Sequence, residues 1–215
     1  MKPMSPPRDR RRMRVSFGTV LATGMCVSFS LISSTCAQIF GSSFTSTARK
    51  DCRVVSGAAG IGDSSTRECP GKAGLLVLVT EGDLRETVSL GRTRAAAAKE
   101  PAAQARFGPF NSSATKLEWR TVDGRPYAII QRWLIADISD EDKNGRPKAK
   151  TLLVVSRLPP GPVCHVAYVD VEANPNANEI ARKAADRTAR GFSCGQDKVN
   201  VVGESGRAVE LATGR

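Results

Sequence analysis

Only one imidazole is present in the 215 residues, His165, so any histidine-based chemistry must happen there. Read on an alternating strand, His165 shares a face with Val163, Ala167, Val169 and Val171, while Asp170 falls on the other face. A general base needs an orienting partner on one side and a nucleophile on the other, and this pattern supplies neither. The expectation is a packed histidine and no catalytic residue. A hydrolase of cell-envelope material, with His165 as its base, is the alternative. A multi-histidine metal site is ruled out by the count.

The acids offer two further chemistries. Asp140-Glu141-Asp142-Lys143-Asn144-Gly145 resembles the start of a calcium loop, with oxygen ligands at alternate positions and glycine sixth. The pattern then fails, because Thr151 stands where the closing glutamate belongs and Pro147 interrupts the backbone, so a turn is expected there and no metal. Glycoside cleavage would need two carboxylates facing across a groove. Asp83, Glu86, Glu118, Asp137 and Asp170 are available, but no spacing selects a pair. No serine elbow and no phosphate-cradling glycine pattern is present, so no cofactor is expected. Asn111-Ser112-Ser113 matches a glycosylation acceptor, and Trp119, Trp133 and Tyr127 sit where strands pack against one another.

Six cysteines are present, two of them, Cys26 and Cys36, in an N-terminal segment built like an export leader. Arg8, Arg10, Arg11, Arg12 and Arg14 precede an apolar, small-residue run over residues 15–32, and residues 33–37 form a small-residue exit ending in Ala37. Cleavage after Ala37 leaves a chain that starts at Gln38, works in the periplasm or outside the cell, and keeps Cys52, Cys69, Cys164 and Cys194. An even count in an exported chain reads as a disulfide framework. Three pairings are possible; Cys52–Cys69 with Cys164–Cys194 is favoured because each bridge then brackets one compact unit. The spacings suit neither zinc nor a Cys-x-x-Cys redox pair. Left uncleaved, residues 15–32 would be long enough to anchor the chain in a membrane, the one membrane association expected. An organelle transit peptide would be amphipathic instead of continuously apolar.

The leader also carries much of the charge. The whole chain is formally +11; without residues 1–37 it keeps 26 basic and 20 acidic residues, a net of +6. These charges are scattered without a basic stripe or interleaved aromatics, so nucleic-acid binding is not expected. An envelope protein or an anionic envelope polymer is the partner class that remains.

The elements that must position these residues follow from period and punctuation. Residues 38–50, rich in Ser and Thr, read as a flexible lead-in, and residues 51–203 as one domain. Residues 75–80 and 84–90 form a hairpin, the second strand half-exposed. Residues 94–106 are alanine-rich and broken by Pro101. Residues 116–121, 127–138, 151–158 and 163–171 form four strands joined by short turns, Asp123-Gly124 among them, hence an antiparallel meander. The one strong helix runs over 176–190, with Asn176 and Glu179 as a capping box, a small apolar stripe and Gly191 as a left-handed cap. Residues 198–202 add a strand, and residues 204–215 form a frayed tail. The expected fold class is α+β: a mainly antiparallel β-sheet covered by a C-terminal amphipathic helix and held by two disulfides.

Cys69-Pro70-Gly71-Lys72-Ala73-Gly74, followed by Asp83-Leu84-Arg85-Glu86-Thr87-Val88, resembles small exported two-disulfide proteins of alphaproteobacteria that have no assigned function. The resemblance implies an exported accessory domain and supplies no catalytic residue. The expectation is a non-enzymatic binding module of the cell envelope.

Overall fold

The computed structural model describes residues 38–56 and 64–214; the expected leader and residues 57–63 lie outside the described residues. Ten strands form one mixed sheet: β1 (Phe40–Ser46), β2 (Arg53–Ser56), β3 (Ser64–Pro70), β4 (Leu76–Gly82), β5 (Arg85–Gly91), β6 (Asn111–Val122), β7 (Arg125–Glu141), β8 (Pro147–Arg157), β9 (His165–Asp170) and β10 (Asn200–Val201). Among the described residues three α-helices accompany them: α1 (Arg94–Lys99), α2 (Ala177–Thr188) and α3 (Arg207–Thr213). Strands β6 to β9 are the antiparallel meander. Its central strand, β7, is apolar and covered on both faces over residues 127–130. The turn into β7 uses Asp123 and Gly124 at φ 49° and 76°, the backbone a tight hairpin needs.

Two pairings are parallel, β9 with β10 and β5 with β6, so the sheet is mixed and not purely antiparallel. The β5–β6 join is a single residue pair, Arg85 with Asn111, and there the sheet folds back on itself. Val77, Val79, Val88 and Leu90 of the small sheet then pack on Leu117, Trp119, Ile129, Trp133, Ile135, Leu152 and Val154 of the large one. The opposite face of the large sheet carries Ile130, Leu153, Val155, Ala167 and Val169, which meet Ala177, Ala181, Ala184 and Ala185 of α2. Small side chains let that helix sit close to the strands.

Several expectations change. The lead-in is not flexible throughout: β1 pairs along the whole of Phe40–Ser46 with β6, an edge addition that needs backbone groups and few aliphatic side chains. Strand β5 is buried on both faces, because α1 and the short helical turn Pro101–Gln104 cover its outer side with Ala97 and Ala102. Gly91 permits this approach; a Cβ there would stand 2.5 Å from the Ala97 nitrogen. Thr93 caps α1, its hydroxyl accepting the Ala96 N–H at 3.2 Å, and Pro101 stops the helix. On α2 the capping box does not form. Asn176 makes no side-chain cap, Glu179 pairs with Lys183 instead at 2.6 Å, and Gly191 is not left-handed.

The tail is not frayed either. Residues 207–213 form α3, with Ala208 and Val209 buried in the inner core. Seven residues do not hold a helix alone; the Asp170 carboxylate supplies the missing cap, as described below. The bridges are Cys52–Cys69, tying β2 to β3, and Cys164–Cys194, tying the entry of β9 to the segment after α2.

Candidate functional site

His165 lies where the sequence suggests, on β9, but with different neighbours. Ser156 pairs with His165 and Val155 with Ala167, so Val166 is an extra residue that bulges out of register. The bulge moves His165 off the face of Ala167 and Val169 and onto that of Tyr168. Its Nδ1 lies 2.9 Å from the Tyr168 hydroxyl, and its ring stacks on Phe107 at 5.9 Å between centroids. Only 5% of the residue is exposed, and burial pushes its pKa down to about 4. Burial also pushes the Tyr168 phenol up to about 12. Asp170 shares this face after all, yet its carboxylate is committed elsewhere.

A buried neutral histidine ties stability to pH. The unfolded chain takes up the proton near the ordinary histidine value of 6.5 and the folded chain only near 4, so the unfolded state binds more protons between those values and stability falls as pH falls through that window. Between pH 7.5 and 4.5 this group should remove about 2–3 kcal/mol. Urea unfolding at the two pH values checks this: the loss should shrink by that amount in His165→Phe, and an equal loss in both proteins would exclude His165 as its source.

The five acids considered as catalytic pairs are each engaged separately. Asp83 is bound by Arg85. Glu86 accepts from Arg67 at 2.8 Å and from the Ser113 amide and hydroxyl, both at 2.7 Å. Glu118 is bound by Arg182 at 2.7 and 3.2 Å. Asp137 is forked by Arg207 at 2.8 and 3.0 Å, which with the Ser139 hydroxyl holds its carboxyl far below the usual range. Asp170 accepts N–H groups from Glu172, Ala173, Ala208 and Val209. In the calcium-like segment, Asp140 is held by Lys148 and Lys150 at 2.6 and 2.7 Å, and Asp142 accepts the Asn144 and Arg146 amides. Both carboxyls lie below their ordinary pKa, the first through its lysines and the second through those amides. Asn111 of the glycosylation-like motif points inward: its side chain accepts from Glu86 N and donates to the Pro109 carbonyl.

The feature with no internal explanation is a surface. Helix α2 covers only part of the outer face of the large sheet. Two-residue alternation from Ile130 continues along β7 through Arg132, which still bonds Asn178 of α2, to Leu134, Ala136 and Ile138, with Ser112 on β6 and Ala149 on β8 beside them. Leu134 is 38% exposed and Ile138 73%. Where the small sheet meets this face, a cleft of about 390 Å³ opens, lined by Leu84, Phe110, Leu134, Ala136 and Ala149, with Glu81 at its side. The Arg85 guanidinium lies 4.9 Å over the Phe110 ring and donates to the Gly108 carbonyl at 2.7 Å, holding that ring outward.

Leu84 is the most unusual residue of the cleft. It sits in the β4–β5 turn at φ 54°, beside Asp83 at φ 53°, in the left-handed region that costs an L-residue about 1–2 kcal/mol. Its N–H donates to Glu81 Oε1 and its carbonyl accepts the Asn111 N–H, both at 3.0 Å. Despite that constraint, 63% of it faces solvent. The strand expected over residues 84–90 starts at Leu84. In the structure β5 begins at Arg85, and Leu84 belongs to the turn with Asp83.

Comparison with protein-family models, with curated proteins and with solved structures gives no match.

Proposed function

We propose that this chain is an exported, non-enzymatic binding or accessory module of the cell envelope that docks a protein partner on the uncovered face of its large sheet. The observation that carries the reading is Leu84: a large apolar side chain held in a strained left-handed backbone and left exposed beside Phe110 and Leu134. Strain of this kind is kept at sites where it serves a contact, and contiguous exposed apolar residues mark interaction surfaces. The two disulfides fit an oxidising, non-cytoplasmic location, which supports residues 1–37 being an export leader removed before the protein acts.

Leu84→Asn separates the surface from the fold. Asparagine tolerates the left-handed region, so the folded protein should gain up to about 1 kcal/mol while losing its partner. A photo-crosslinking residue at Leu134, introduced in the native host, should yield one adduct of defined mass. That adduct should be missing in the Leu84→Asn background and from a probe at Lys198, outside the cleft. Identical adducts at both positions, or none at Leu134, would refute the docking face. N-terminal sequencing of the mature protein should read from Gln38.

A further inference from the structure

A second groove, separate from the docking cleft, lies on the same face between β1 and α2. Its floor is Ala114, Ile130 and Leu153, one wall is Phe44, and the other is the first turns of α2; the space is about 270 Å³. This is just under the range of about 300–1,000 Å³ typical of drug-sized sites, and so suits a small ligand.

The polar groups around it are paired with two exceptions. Glu118 is bound by Arg182 and by the Ser42 hydroxyl. Ser42 also accepts from Arg120, which is forked onto Asp186 at 2.9 and 2.7 Å. Burial and the Asp186 carboxylate push the Tyr127 phenol, bonded to that same carboxylate, above its ordinary range. Lys116 and Arg132 have no carboxylate partner among the described residues. The Lys116 ammonium lies 4.2 Å over the Phe44 ring. Arg132 is oriented by one bond to the Asn178 amide oxygen at 3.2 Å, which leaves most of its planar fork of donors free. Two oriented cations therefore border an apolar floor, and the one acid in the lining, Glu118, is already neutralised.

We infer that this groove binds a small organic carboxylate, with the anionic end on Arg132 and Lys116 and the carbon skeleton on Phe44, Ile130 and Leu153. A guanidinium fork matches a carboxylate in two parallel bonds, and the low-polarity floor strengthens them. The carboxylate could belong to an acyl chain or to an acidic sugar of an envelope polymer. The aliphatic floor favours the acyl chain. This inference does not depend on the docking cleft.

Titration of the oxidised protein, followed by amide NMR, uses three probes: hexanoate, glucuronate and the neutral hexanol. Saturable shifts at Lys116, Ile130, Arg132 and Leu153 are expected with hexanoate, and weaker ones with glucuronate. Arg132→Gln should weaken binding at least tenfold, and Arg132→Lys should recover only part of it, because a point charge lacks the fork. Tighter binding of glucuronate would keep the carboxylate site and assign its source to a sugar. No saturation with either acid up to about 10 mM, equal binding of hexanol, or unchanged binding in Arg132→Gln would overturn the inference. Arg132 makes a single neutral contact at the surface, so its variants should melt with the parent protein.

Discussion

Reduction of both disulfides should lower the melting temperature of this protein by roughly 15–25 °C. The bridges close loops with sequence separations of 17 and 30 residues. In the chain-entropy picture such loops are worth about 3 and about 3.5 kcal/mol. Each bridge also sits where secondary structure is weakest. Cys52–Cys69 fastens the start of β2, a four-residue edge strand, to a cysteine that is itself part of the inner core. Cys164–Cys194 fastens the turns after α2, which lead into β10, a strand of two residues. Melts of Cys52→Ala/Cys69→Ala and Cys164→Ala/Cys194→Ala would separate the contributions, and the two losses should add because the bridges share no contacts. A melt unaltered by reductant would mean that neither bridge constrains the unfolded chain.

Asp170→Ala is expected to cost about 3–5 kcal/mol, the largest effect of a single substitution among the polar residues. One carboxylate oxygen accepts from Glu172 and Ala173 at 3.0 Å, closing the turn after β9. The other accepts from Ala208 and Val209 at 2.9 and 3.4 Å, at the start of α3. Asp170 is 1% exposed, so its removal strands the buried Ala208 and Val209 amide donors and opens the part-buried turn at Glu172 and Ala173. Gly206 leaves room for this contact, since a Cβ there would lie 2.8 Å from the same carboxylate oxygen. The partner of the effect is specific: deletion of residues 205–215 should destabilise the protein, and Asp170→Ala should then cost much less in that background. Additive losses would show that Asp170 acts through its own turn alone. Hydrogen exchange over residues 207–213 should become fast in the variant.

Both predictions concern parts of the fold that differ in how well the amino-acid order announces them. The meander was legible because residues 127–138 are apolar on both faces and Asp123-Gly124 is a turn that few other backbones accommodate. Helix α2 was legible from the spacing of Ala177, Ala181, Ala184 and Ala185. Strand β1 was not, since Phe40-Gly41-Ser42-Ser43-Phe44 has little apolar period and exists by pairing with residues about 80 positions away. Helix α3 was not, because seven residues form a helix only once Asp170 caps them. The face of His165 was misjudged because a one-residue bulge at Val166 reverses every inference that rests on a period of two.

Composition and local pattern determined which segments could be strands, where tight turns fall, and which cysteines outside residues 1–37 could cross-link the domain. These are properties of neighbours in the chain, decided by φ preferences and by which side chains avoid water. Tertiary structure alone decided that five available acids are each occupied by a separate cation or set of amides, that α2 stops short of Leu134 and Ile138, and that Leu84 is turned outward under strain. Those outcomes depend on contacts between residues far apart in sequence, whose cost of closure and burial no local window contains.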